Sequence, residues 1–261
     1  MRNRVINKRD RHLHGWRKDR PDNRDQILGN SGRLKALFLP PRKDLREFCS
    51  TVENQGSIGS CTANSSTSAL EFLYNRAKKP APEYSRLFLY FATRVWIEGT
   101  PPSEDSGAQI RDVMKALAKF GCCLEKTWAY SPAKYSTEPP ESAKKEALNH
   151  QILNYFRCPS LRFIKNSIAD GYPVVGGFSV PESMDGPQTE KTGVVAYPKK
   201  GENFIGGHAV LFVGYNDRTG LLTFQNSWGT GWGDKGFGYL PYEYVTNWLA
   251  DDFWTIRNAE M

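Results

Sequence analysis

A change in the spacing of apolar residues near residue 125 constrains this chain more than any other feature. Upstream of it, apolar positions recur every three or four residues, the period of a helix with one buried face. Between residues 61 and 78 they fall at Ala63, Ala69, Leu70, Leu73, Tyr74 and Ala77. The preceding Asn54-Gln-Gly-Ser-Ile-Gly-Ser60 carries two glycines and cannot easily extend that helix backwards, so Cys61 is expected at a loop-to-helix junction. A second helix is expected over about residues 85–97. A third follows where Ile110, Val113, Met114 and Leu117 share a stripe that Gly121 stops. Downstream the runs are short, β-branched and aromatic, at residues 172–180, 208–215, 221–225, 236–240 and 253–256. One helix, Leu161–Ala169, ended by Gly171, is expected among them. A helical half followed by an antiparallel β half implies an α+β protein of two lobes, with a binding cleft between them. The 261 residues suffice for one large domain or two closely packed small ones.

Charge is distributed unevenly. Residues 1–38 hold eleven Lys and Arg against four Asp, a net +7, while the remainder holds 24 of each sign. A polyanion-binding role therefore concerns the N-terminal segment alone. A solvated or autoinhibitory extension is favoured there, and nucleic acid is not an expected partner. His12 and His14 in this segment have no further ligand nearby and are expected to be exposed. Composition changes at Leu39-Pro40-Pro41, where the folded core is expected to begin.

The first ten residues lack the apolar core of a secretory signal peptide, so the expected location is the cytoplasm as synthesised, signal-independent export apart. No run of eighteen apolar residues exists, which excludes an ordinary membrane-spanning helix. The five cysteines, Cys49, Cys61, Cys122, Cys123 and Cys158, form no C-x-x-C pair, and reduced thiols are expected. Neither a P-loop, a His-Glu-x-x-His motif nor a dinucleotide fingerprint occurs, so no metal or organic cofactor is expected.

Three segments carry chemistry when read together: Asn54–Ala63 around Cys61, Gly206–Tyr215 around His208, and Gln225–Gly233 around Asn226. A thiol is a poor nucleophile until ionised, which a helix N-terminus or a neighbouring cation favours. Cys61 has the first by its position, and His208 supplies the second if its strand faces the helix across the cleft. Asn226, at the end of the next strand, can accept a hydrogen bond from the imidazole and hold its tautomer. Singly, each has a plainer reading: a small buried thiol, a hydrogen-bonded strand histidine, a turn asparagine. The joint pattern is far more specific.

Those segments resemble the papain family of cysteine peptidases, with its Gln-Gly…Gly-Ser-Cys, Gly-His-Ala and Asn-Ser-Trp-Gly signatures. His208 lies 147 residues after Cys61 and Asn226 lies 18 after His208. Gly121-Cys-Cys-Leu-Glu125 with Trp128-Ala-Tyr130 extends the likeness. The resemblance implies a two-lobe fold with a mainly helical lobe at about 39–125 and an antiparallel β-barrel-like lobe at about 126–261. It implies catalysis by Cys61, His208 and Asn226, with Gln55 donating to the oxyanion, on a polypeptide substrate. Trp228 corresponds to the tryptophan that shields the His–Asn bond and borders the substrate. Ser106-Gly107 stands where substrate backbone is bound, so Gly107 is the expected substrate-binding glycine. An endopeptidase is the expected activity and a monomer the expected state, with acyl transfer and a non-catalytic binding module as the alternatives. Two departures stand out: Ile58 replaces a signature cysteine, removing its disulfide, and Thr62 replaces the tryptophan after the nucleophile. Residues 1–38 are far shorter than the family's usual propeptide and are expected to form a short self-inhibiting prosegment.

Overall fold

The computed structural model describes residues 14–29 and 38–260. Its helical elements are α1 (Cys61–Arg76), α2 (Arg86–Phe91) continuing into a π-helical turn at Ala92–Ile97, α3 (Ile110–Phe120), α4 (Glu141–Ala147), α5 (Leu161–Ala169), α6 (Pro187–Thr192) and α7 (Tyr242–Thr246). The strands are β1 (Arg42–Asp44), β2 (Ile152–Arg157), β3 (Val174–Pro181), β4 (Phe204–Asn216), β5 (Leu221–Gln225), β6 (Phe237–Pro241) and β7 (Ala250–Ala259). All pair antiparallel in the order β2-β7-β3-β4-β5-β6, with β1 also on β4. This is the expected α+β arrangement. Among the described residues no helix is long and apolar enough to cross a membrane.

The sheet is built on the long strand β4, where every residue from His208 to Tyr215 is buried. Its ring Phe212 and the neighbouring Phe178, Phe224 and Phe253 pack at centroid separations near 6 Å in tilted and edge-on pairs, which aromatic quadrupoles favour over face-to-face stacking.

Helix α1 departs from the one-faced stripe its apolar residues suggest, since every residue from Cys61 to Tyr74 is buried. Its small polar residues permit this. Ser65 Oγ donates to the Cys61 carbonyl at 2.9 Å and Thr67 Oγ1 to that of Ala63 at 3.1 Å, so these two buried hydroxyls are satisfied within the helix. The helix can therefore lie directly between the lobes. Gly121 ends α3 at φ +69°, and its N–H donates to the Leu117 carbonyl.

Five elements, β1, α4, β2, α6 and α7, lie where the sequence reading expects none. Helix α4 buries only Ala143 and Ala147, too little apolar area for a visible stripe. Strand β2 pairs with β7 through two register shifts, which break the alternation a strand is read from. All five cysteines are free thiols.

Candidate active site

The loop before α1 brings Gln55 and Cys61 to the sheet. Gln55 N–H donates to the Ser227 carbonyl and Gly229 N–H to that of Glu53, at 2.9 and 2.8 Å, so this loop is stitched to the segment after β5. Ser227 Oγ donates to Gln55 Oε1 at 2.7 Å, while Gln55 Nε2 donates to the Ile58 carbonyl at 3.0 Å. The Gln55 amide is thus oriented with its nitrogen toward the loop that leads to Cys61. Tyr130 OH holds the same loop, donating to the Gln55 carbonyl at 2.8 Å and lying 2.5 Å from Ser60 Oγ.

Cys61 opens α1, where the first-turn N–H groups lack intrahelical partners and favour negative charge. Its thiol is completely buried. Burial pushes the thiol up to about 11, against the opposing pull of backbone N–H groups from Ala209, Gly15, Thr62 and Cys61 itself. The Ala209 contact matters for geometry, because it places the strand residue after His208 directly on the sulfur.

His208 Nε2 lies 2.7 Å from Asn226 Oδ1. The same oxygen accepts the Ser227 N–H at 2.8 Å, which fixes which end of the amide faces the ring. His208 Nε2 therefore carries the proton, and Nδ1 is the basic nitrogen of the neutral ring. Trp228 stacks on the imidazole at 4.5 Å and 28°, covering it from solvent. The residues expected at the site, Gln55, Cys61, His208, Asn226 and Trp228, are brought together in one place.

The chain's own N-terminal segment crosses this place. The Gly15 backbone N–H is among those that pull the Cys61 thiol down, the Gly15 carbonyl accepts the Ala108 N–H at 2.8 Å, and Arg17 N–H donates to the Ala108 carbonyl at 3.0 Å. On the opposite wall Trp16 N–H donates to the Gly207 carbonyl at 2.8 Å. The Trp16–Ala108 bridge is parallel. Space here is tight: a Cβ on Gly15 would lie 1.8 Å from the Gly59 carbonyl oxygen, and one on Gly107 would lie 2.1 Å from that of Gly15. Gly107, at φ +68°, lies against the Gly15 carbonyl, while Ala108 supplies the backbone pairing.

The expectation that His14 is exposed is wrong. Its ring is half-buried, 6.2 Å from that of His208 and 6.0 Å from that of Trp228, because the cleft is filled by its own chain. His12 lies outside the described residues.

Beyond the cleft the arm is anchored by charge. Asp19 Oδ2 accepts Trp254 Nε1–H at 2.9 Å, and Asp19 Oδ1 accepts the Arg111 N–H at 3.1 Å. Asp25 takes Arg111 Nε and Nη2 at 2.7 and 2.6 Å. Arg17 pairs with Glu98, Lys18 with Asp251 and Arg24 with Asp22, so these arm cations face carboxylates of the same chain. Sequence reasoning missed Gly15, Trp16, Ala108, Gly207 and Asp252 as cleft residues. The available signal was Trp16, the only aromatic side chain among the first 37 residues.

Comparison with known proteins agrees with this geometry. Residues 39–248 match the model of the papain family of cysteine proteases. An uncharacterized peptidase C1-like protein of Acanthamoeba polyphaga mimivirus is 35% identical, over 94% of this chain and 86% of its own length. The thiol protease aleurain of Arabidopsis thaliana is 30% identical over 80% of this chain, which spans only 58% of that relative. The crystal structure of xylellain, a cysteine protease from Xylella fastidiosa, superposes with a TM-score of 0.85 at 37% identity, covering 97% of this chain and 99% of that one.

Proposed function

The chain belongs to the papain family of cysteine proteases, and from that premise we propose that it cleaves peptide bonds with Cys61, His208 and Asn226, and that residues 14–17 hold it closed. The observation carrying the reading is the Asn226–His208 bond, which leaves Nδ1 basic on a strand whose next residue touches the Cys61 sulfur.

His208 Nδ1 takes the thiol proton, and the thiolate attacks the peptide carbonyl carbon. The carbonyl π electrons move to oxygen, where the Cys61 N–H and the Gln55 amide act as donors. Collapse expels the amine, which receives the proton from His208, and leaves a thioester on Cys61. Water, deprotonated by the same imidazole, then hydrolyses the thioester and restores the thiol. Asn226 positions the ring and stabilises imidazolium, and Trp228 keeps water from that bond.

An endopeptidase is favoured because the cleft already accommodates chain on both sides of Cys61, with His14 toward Trp228 and Trp16 toward Gly207. The arm denies this space to a substrate and buries the nucleophile. Titration with an epoxysuccinyl thiol reagent, followed by peptide mapping, tests both parts. Modification confined to Cys61, and faster in protein lacking residues 1–38, is the expected result. Equal rates with and without the segment would refute self-inhibition, and no modification in either form would refute the peptidase.

A further inference from the structure

We propose that Asp105 is a positioning residue for the reaction: through the peptide unit that joins Ile58 to Gly59, its carboxylate holds the Gln55 amide in place as an oxyanion donor. The proposal rests on the peptidase reading above.

Gln55 is held at both ends of its amide. Its Oε1 accepts Ser227 Oγ–H at 2.7 Å, and its Nε2 donates to the Ile58 carbonyl at 3.0 Å. An amide nitrogen carries two hydrogens, so the second bond fixes where the other N–H points. That N–H is the one the mechanism above turns on the oxyanion. The aim of this donor therefore depends on where the Ile58 carbonyl stands.

The Ile58 carbonyl is one edge of the peptide unit whose N–H belongs to Gly59. That N–H donates to both carboxylate oxygens of Asp105, to Oδ1 at 3.2 Å and to Oδ2 at 3.1 Å. The unit is planar and its C=O and N–H point in opposite directions, so a carboxylate fixed on one edge sets the carbonyl on the other. Each bond also polarises the next: negative charge on the Gly59 N–H makes the Ile58 carbonyl a stronger acceptor for Gln55. Ile58 stands where the family has a cysteine, and all five cysteines are free thiols, so this loop is held by hydrogen bonds.

Asp105 itself rests on a firm base. The fully buried Tyr90 donates its hydroxyl to Asp105 Oδ1 and accepts the Gly107 N–H at 3.1 Å. Burial, followed by the Asp105 charge, raises that hydroxyl and keeps it a donor. Arg94, also fully buried, lies over the Tyr90 ring at 4.4 Å and donates to the carbonyls of Glu104 and Tyr135. Tyr135 OH in turn donates to the Ser103 carbonyl at 2.8 Å. The loop leading to Asp105 is thus fixed to the helical lobe, and the carboxylate passes that placement to the loop before the nucleophile. Because Asp105 acts through Gln55, its effect belongs to the step in which the oxyanion forms.

The test uses full-length Gly15→Ala, in which the new Cβ would lie 1.8 Å from the Gly59 carbonyl oxygen and unseats the arm. Active sites are counted by titrating Cys61. Adding Asp105→Ala is expected to lower kcat on a fluorogenic peptide amide by roughly 10- to 100-fold with KM little changed, the worth of a hydrogen bond to a charged group. Asp105→Asn, whose amide oxygen still accepts the Gly59 N–H, is expected to restore most of that loss. Alkylation of Cys61 by iodoacetamide forms no oxyanion and is expected to keep its rate. In a Gln55→Ala background Asp105→Ala is expected to change kcat no further, since the group it positions is gone. Should Asp105→Ala lose its cooperative unfolding transition, Tyr90→Phe takes its place and is expected to show the same pattern at smaller size. An unchanged kcat, a loss confined to KM, an alkylation rate that falls with kcat, or an equal further loss in Gln55→Ala overturns the assignment and leaves the peptidase intact. Absence of both turnover and Cys61 labelling in the Gly15→Ala parent removes the peptidase reading, and this assignment with it.

Discussion

The nucleophile's surroundings and the arm that covers them meet at Gly15, yet they are held by different forces. Cys61 and His208 sit among fully buried side chains, with the imidazole clamped between Trp228 and Phe178 and tied to Asn226. The arm buries little apolar surface beyond Leu28 and part of Trp16. It is kept in place by carboxylates, guanidinium groups and a few backbone bonds. Apolar burial cannot be switched off by pH or by a competing ligand, whereas these polar contacts can. The site and the arm over it are therefore distinguishable by what holds them.

That contrast can be broken from either side. Cys61→Ala is expected to abolish turnover while leaving thermal stability close to that of the parent, because only a sulfur is lost; residual peptidase activity in calorimetrically intact protein would refute the nucleophile. Gln55→Ala is expected to lower kcat by ~100- to 1,000-fold, the cost of one oxyanion donor. Stopped assays with titrated enzyme would show it, and a change confined to KM would assign Gln55 to binding instead. Gly15→Ala acts only on the cover. The new Cβ cannot share space with the Gly59 carbonyl, and about 1.4 kcal/mol of unseating corresponds to a tenfold faster labelling of Cys61. Unchanged labelling would mean that the arm does not limit access.

The smallest expected effect is that of pH on the cover. Burial raises the carboxyls of Asp19 and Asp252 when the arm is seated, Asp252 to about 7, and burial likewise raises Glu98, the partner of Arg17, to about 7. Arg111, Arg157 and Lys18 face this cluster and oppose the shift, but the net direction is upward. The closed form thus binds more protons than the open one. Arm docking is fully stabilised below the ordinary carboxylate range and weakens as pH rises through about 7. The ratio of Cys61 labelling rates, Gly15→Ala over the parent, is expected to shrink between pH 5 and pH 8. A ratio that grows would refute control by these carboxyls.

Much of the architecture was legible because it depends on local period. The stripe of α3 with its Gly121 stop, the glycine-rich loop into α1, and the β-branched runs of β4 and β5 each declare themselves within a dozen residues. Strand β1 did not: its three residues, Arg-Lys-Asp, carry no strand signal and are ordered only by pairing with Tyr215 and its neighbours. The π-helical turn after α2 likewise continues a helical pattern with no local mark of the change.

By itself the sequence determined which groups can do the chemistry. A thiol at a loop-to-helix junction, a histidine opening a buried strand run and an asparagine ending the next strand are local facts, and the order of these motifs constrains their pairing. Only the tertiary structure decided what covers them. Residues 14–17 have no period to read, since an extended segment without an apolar face takes its conformation from its host. Trp16 reaches Asp252 across Gly177 and Gly207 only because β7 lies beside β3, which brings together residues 45 or more apart in the chain. Contacts across such separations depend on folded backbone geometry, which residue spacing does not encode.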